Sequence, residues 1–218
     1  MQEPRIPLAD EGIPFAGFAA LATLVFALLG WSFPAVVLLC LTWFILYFFR
    51  DPVRVTPQEE SAIVSPADGK IIKVAEVEDE RFLKKRVRKI SIFMNVFNVH
   101  VNRLPLTGTV ETVRLRPGRF FAADDAKAEL HNETCAISVL TPDCGRYAVV
   151  QMAGLIARRI VCRAEPGDEL KTGERFGLIR FGSRVDLYLP LEAHIKAQVG
   201  DKVKAGETLL GYWHAGEQ

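Results

Sequence analysis

The chain has 218 residues, with 27 Lys or Arg against 26 Asp or Glu, a net charge of +1, and 50% of its residues hydrophobic. That length suits one domain with an appendage and is enough to bury a core. The even charge balance argues against a nucleic-acid binder, and the absence of any charge between Ile13 and Phe49 excludes a fully soluble protein.

Residues 1–12 form a short N-terminal tail, and residues 13–49 form the apolar run. A helix rises about 1.5 Å per residue, so a ~30 Å hydrocarbon core needs roughly 20 apolar residues. The run is too long for one upright helix and slightly short for two. Gly30, Trp31, Ser32, Phe33 and Pro34 sit in its middle and can turn the chain. The expectation is a tight helical hairpin, 14–29 and 34–49, that spans or dips into the bilayer. A cleavable signal peptide does not fit, because the run is too long and the preceding MQEPRIPLADEG is net acidic. Arg50 and Arg54 flank the exit while Arg5 alone precedes the run, which favours a cytoplasmic face for the rest of the chain.

From residue 50 onward, short apolar runs alternate with Gly and Pro. Strands are expected over 71–77, 89–94, 110–115, 134–140, 146–152, 160–164, 175–180, 185–189 and 207–211. That spacing predicts a mainly β (α+β) fold, an antiparallel-rich, barrel-sandwich-like catalytic domain over 50–218. The best helical candidate outside the membrane run is 122–131. SPADGKIIKVAEV and AQVGDKVKAGETLLGYW are alike in kind, each setting a Gly–Asp or Asp–Gly turn beside a short apolar strand. The run RFLKKRVRK, 81–89, reads either as a solvated hairpin or as a patch for anionic lipid head groups. The four cysteines show no metal-ligand spacing and read as reduced thiols, so no metal is expected.

Gly182-Ser183, between LIRF and RVDLYLP, is by itself an ordinary bulge or turn. Its companions change that reading: FFRDPVR at 48–54, SPADGKI at 65–71, FMNVFNVHVNRLP at 93–105, RPGRFFAA at 116–123, NE at 132–133 and FGSRVDLYLP at 181–190. Together these segments resemble the short form of the phosphatidylserine decarboxylases, a pyruvoyl-enzyme family, and they run in that family's order from the membrane exit to the tail.

The resemblance implies a self-made cofactor. Ser183 Oγ attacks the carbonyl of Gly182, and the chain parts into a β chain of 1–182 and an α chain of 183–218 that remain together as a heterodimer. Ser183 becomes the pyruvoyl group, which serves as the electron sink for decarboxylating phosphatidylserine to phosphatidylethanolamine in phospholipid biosynthesis at the cell membrane. His100 is the candidate for proton transfer, with a pKa of ~6.5 in its unperturbed state, and Asp68 the candidate to orient it. Longer bacterial members carry a second histidine three residues on, where this chain has Arg103. Arg103, Arg116 and Arg119 are candidates for the lipid head group. Self-association is left open.

Two other readings share these residues. One keeps the chemistry on a related serine-bearing lipid. The other is a membrane-tethered carrier or adaptor, suggested by AQVGDKVKAGETLLG, in which Gly182-Ser183 stays an intact turn.

Overall fold

The structure, a computed structural model, describes residues 7–59, 61–118, 121, 131–154, 159–180 and 183–213. Two compact units make up the chain, Met1–Val53 and Arg54–Gln218.

The first unit is the hairpin. Helix α1 covers Ile13–Leu28 and α2 covers Ser32–Phe48. Pro14 falls in the first turn of α1, where no helical amide is lost. Gly30 takes φ +74° in the turn, a conformation that a side chain would strain. Thr23 and Thr42 return their hydroxyls to Ala19 and Leu38 carbonyls, and their Oγ atoms meet at 3.4 Å across the two helices. The segments leading in and out are tied together: Ala9 N–H donates to Phe49 O at 2.8 Å, and Asp51 N–H to Pro7 O at 2.9 Å. Both ends of the hairpin therefore lie at one side, as expected. A Cβ on Gly12 would stand 2.4 Å from Phe49 Cβ, so this closure requires glycine. The outward side chains, Phe18, Leu28, Phe33 and Trp43 among them, are apolar and exposed, which suits lipid rather than water. Asp10–Leu28 is long and apolar enough to cross a membrane, and α2 is shorter.

The second unit is antiparallel β, as the alternating runs predict. Its first strands are β1 Ala62–Val64, β2 Gly69–Asp79, β3 Lys85–Met94, β4 Val101–Arg103 and β5 Gly108–Arg116. Then follow β6 Thr134–Thr141, β7 Gly145–Ala153, β8 Ile160–Cys162, β9 Glu169–Leu170 and β10 Arg175–Ile179. The last are β11 Ser183–Pro190, β12 His194–Ile195, β13 Lys202–Val203 and β14 Leu209–Tyr212. An eight-stranded sheet, ordered β13-β2-β3-β11-β7-β6-β5-β9, curls into a half-barrel. Two three-stranded sheets accompany it, β1-β14-β12 and β4-β10-β8. The helical candidate 122–131 lies, save for His131, outside the described residues.

Side chains alternate across the large sheet. Its inner face carries Ile90, Ile92 and Met94 from β3, Val149 and Ala153 from β7, and Val185, Leu187 and Leu189 from β11, all buried in the main core. Its outer face holds a second apolar cluster, Val87, Ala136, Ala148, Val150 and Tyr188, beneath Phe82 and Leu83. The turn carrying Phe82 is set by Asp79, whose carboxylate accepts the amides of Arg81, Phe82 and Leu83. All eight residues of β11 are buried as a result. The basic run 81–89 is a hairpin arm in this arrangement: Arg86 and Arg88 reach Glu76, and Lys89 reaches Asp186.

The two similar stretches lie side by side. β13 pairs with β2, Gly200 N–H donates to Ile71 O, and Gly206 N–H donates to Ser65 O, each at 2.8 Å. Each turn thus supplies hydrogen-bond partners to the other.

Candidate active site

β10 belongs to a small sheet and β11 to the centre of the large one, so the chain changes sheets between Ile179 and Ser183. Phe181 and Gly182 lie outside the described residues. Ser183 opens β11 on its inner face, paired with Met94 on one side and Ala153 on the other. It is fully buried, and its Oγ–H points to Met94 Sδ at 3.3 Å.

His100 sits just ahead of β4 and is buried. Its backbone carbonyl accepts the amide of Ile179 at 3.2 Å, which lays it beside the segment leading to Ser183. Its Nδ1 is 3.0 Å from Asn98 O. A carbonyl can only accept, so Nδ1 carries the proton and Nε2 holds the lone pair in the neutral ring.

Asn102 and Gln151 join this shell. Gln151 Nε2 donates to Asn102 Oδ1 at 2.9 Å, and Asn102 Nδ2 faces Met94 Sδ at 3.8 Å and Pro66 O at 3.5 Å. Both side chains are fully buried among apolar neighbours, where an amide needs partners. The motif reading passed over them, since neither titrates. The available signal was Gln151 at a core-facing position of a strand whose other inner residues are Tyr147, Val149 and Ala153.

Asp68 is held by Arg54, whose Nη2 lies 2.9 Å from Oδ2, and by the amide of Ala205, 2.8 Å from Oδ1. Its turn connects to the site through Pro66, whose carbonyl accepts Arg103 N–H at 3.0 Å. The Arg103 guanidinium is buried and donates to Gly173 O at 3.0 Å. Asn132 exchanges hydrogen bonds with the backbone of Phe121 and donates to Ala153 O at 2.7 Å, next to Ser183. Arg119 lies outside the described residues, and Arg116 sits on the outer face, its guanidinium 3.5 Å from Asn132 O.

Neighbouring thiols are electrostatically linked. Cys135, paired with Gln151, donates its S–H to Cys162, which pushes the Cys135 thiol up, with burial adding to it, and draws the Cys162 thiol down. All four cysteines are free. His194 is an exposed residue of β12, His131 lies against the Phe121 ring, and His214 is outside the described residues.

An apolar hairpin ahead of a curled β domain with a buried serine at a sheet change suits a lipid-metabolising lyase made as a zymogen, and the comparisons agree. The family model described as phosphatidylserine decarboxylase matches residues 41–211. The chain is 52% identical over 211 residues to the phosphatidylserine decarboxylase proenzyme of Desulfotalea psychrophila, covering 97% of this chain and 99% of that one. The corresponding proenzyme of Oleidesulfovibrio alaskensis is 53% identical over 210 residues, 96% of each chain, and that of Syntrophotalea carbinolica 50% over 212, covering 97% and 99%. The chain belongs to the phosphatidylserine decarboxylase family and is a carboxy-lyase.

Proposed function

We propose that the chain cuts itself before Ser183 and, with a pyruvoyl group formed there, converts phosphatidylserine to phosphatidylethanolamine and carbon dioxide. The observation that carries this is the serine itself: fully buried, at a change of sheets, beside the segment that His100 holds. In the uncut chain a hydroxyl in that position is closed to an external substrate, its own chain is the available electrophile, and parting the chain before Ser183 is what opens the position to a lipid head group.

Oγ of Ser183 attacks the Gly182 carbonyl, exchanging the amide for an ester and freeing the serine nitrogen. Loss of the Ser183 Cα proton expels the carboxylate of 1–182 and leaves a dehydroalanine, whose hydrolysis yields ammonia and a ketone. His100 Nε2 has the lone pair for these proton transfers, since Nδ1 is committed to Asn98 O. Arg103 stands in place of a second histidine, so His100 serves both self-cleavage and decarboxylation. Asp68 orients it through the 65–68 turn, which Pro66 O joins to β4.

The residues present fit a pyruvoyl group, since Ser183 heads a strand paired on both edges, beside Met94 and clear of solvent. Once formed, that group accepts the electrons released when the substrate carboxylate leaves. The α chain, 183–218, stays with the β chain, 1–182, because β11 lies between β3 and β7 with every residue buried. Residues 13–49 hold the enzyme at the membrane, with the catalytic part, 50–218, on the cytoplasmic side. Arg103, Arg116 and Arg119 supply positive charge to lipid phosphate, Arg116 from the outer face.

Ser183→Ala tests this reading. The expected result is one uncut chain on a denaturing gel and no release of carbon dioxide from phosphatidylserine. Normal processing of that variant would sink the assignment.

A further inference from the structure

Two of the four thiols meet inside the β unit, on strands of different sheets. Cys135 lies on β6 of the large sheet, on the inner face with Ile137 and Val139, and is 2% exposed. Cys162 ends β8 of a small sheet, half-buried and packed against the same core. The two sheets come together at Gly177. It pairs with Cys162, and a Cβ placed on it would stand 3.2 Å from Cys162 Cα and 3.1 Å from Gln151 Nε2. Gln151 pairs in turn with Cys135. Cys162 and the Cys135–Gln151 rung therefore flank one glycine, and the Cys135 S–H reaches the Cys162 sulfur.

The two thiols are unequal. The hydrogen bond from Cys135 holds the Cys162 thiol below its ordinary pKa, whereas that same bond, with burial adding to it, raises the Cys135 thiol. Thiolate rather than thiol is the nucleophile, so Cys162, the more accessible of the two, is the attacking group and the enclosed Cys135 the resolving one. Cys144 provides the contrast. Burial first, then the charge of Asp143, pushes its thiol up, and its S–H donates to Trp213 O at 2.9 Å.

We propose that Cys135 and Cys162 form a reversible disulfide, with hydrogen peroxide as the oxidant, that ties the small sheet to the large one. The Cys162 thiolate attacks one peroxide oxygen, the O–O bond breaks, and hydroxide leaves, taking up the proton that the Cys162 thiol gave up. The Cys135 sulfur then attacks the sulfenic acid on Cys162. The S–S bond forms, and the sulfenic hydroxyl departs with the Cys135 proton as a second water. Two thiols lose two electrons, and the peroxide gains them. Because β8 pairs with β10, whose last residue Ile179 leads toward Ser183, the bridge fixes the strand pair beside the proposed site.

All four cysteines precede Ser183, so the test reads the same whether or not the chain parts there. Full-length protein in detergent is treated with a small excess of hydrogen peroxide, unfolded, alkylated and weighed. Reduced protein should take four alkyl groups and oxidised protein two, carried by Cys40 and Cys144, with dithiothreitol restoring four. A non-reducing peptide map should join Cys135 to Cys162, and Cys162 should lose its label about tenfold faster than Cys144. The bridged chain should unfold roughly 5 °C or more above the reduced one. Cys135→Ala should abolish the bridge and leave on Cys162 a sulfenic acid that dimedone traps. Four alkyl groups after peroxide, a bridge that uses Cys40 or Cys144, or oxidation of the unaltered chain that stops at Cys162 would overturn the proposal. So would a bridged chain that unfolds below the reduced one.

Discussion

Replacing Asp186 with alanine probes how the strand that begins with Ser183 is held. Asp186 is fully buried on the outer face of β11, with Lys89 Nζ 3.1 Å from its Oδ2 and Arg184 Nε 2.8 Å from its Oδ1. Arg184 Nη2 donates a well-directed hydrogen bond to Oδ2 at 2.9 Å, while the Nε and Nζ contacts are ion pairs at angles poor for hydrogen bonding. The side chains of Lys89 and Arg184 are themselves only 1% and 6% exposed. Removing the carboxylate leaves two buried cations facing each other, and breaking such a buried pair costs about 3–5 kcal/mol. Lys89 retains the Tyr188 ring, 5.1 Å from its Nζ, which places the expected loss near the lower end, about 3 kcal/mol. At 2–4 °C per kcal/mol for a chain of this size, the unfolding midpoint should drop by roughly 6–12 °C. The assay is thermal unfolding of detergent-solubilised protein in the Ser183→Ala background, so that parent and variant are both single chains. Lys89→Met/Arg184→Met/Asp186→Leu should recover most of the loss, because well-packed apolar residues replace the whole buried ionic group at little cost. An Asp186→Ala midpoint within about 2 °C of its parent would refute the reasoning.

His100→Ala should slow both self-cleavage and decarboxylation, and wild-type rates in a processing time course and a carbon dioxide assay would remove His100 from the mechanism. Asp68→Asn keeps the Ala205 contact but weakens the Arg54 pair, so processing should slow without a gross loss of fold. The time course set against the unfolding midpoint checks this. The hydrogen bond from Arg146 holds the Glu111 carboxyl below its ordinary pKa. A depressed folded value means this pair contributes stability above the ordinary glutamate pKa and loses it as pH falls through the lowered one. A carboxyl titration by NMR should return to the ordinary range in Arg146→Ala. Deleting residues 1–49 should move the protein to the soluble fraction, and continued pelleting with membranes would put the anchor elsewhere.

Much of the architecture was legible because its cause is local. The hairpin follows from the absence of charge over 13–49, and β2, β3, β5, β6 and β7 follow from short apolar runs punctuated by Gly and Pro. Strands of two or three residues such as β4, β9 and β13 carry no period, and only their partners define them. The two-sided burial of β11 was hidden as well: Asp186 in VDLYL reads as a solvent-facing residue until Lys89, far away in sequence, arrives opposite it. At the proposed site, Ser183, His100 and Asp68 stand out as candidates because their chemistry is recognisable in a motif. Asn102, Gln151 and Asn132 were not, because an amide's role depends on what the fold brings within 3 Å. The pairing of Arg54 with Asp68 joins two recognised segments, FFRDPVR and SPADG, through a contact that neither segment implies alone.

The central claim is that this chain makes its cofactor from Ser183, and an intact mass under denaturing conditions tests it most directly. The account predicts two species, 1–182 with an ordinary carboxyl terminus and 183–218 lighter than its encoded sequence by one ammonia, the mark of a ketone in place of the amino group. A single species with the full 24.3 kDa mass, persisting in protein taken from active membranes, would contradict it.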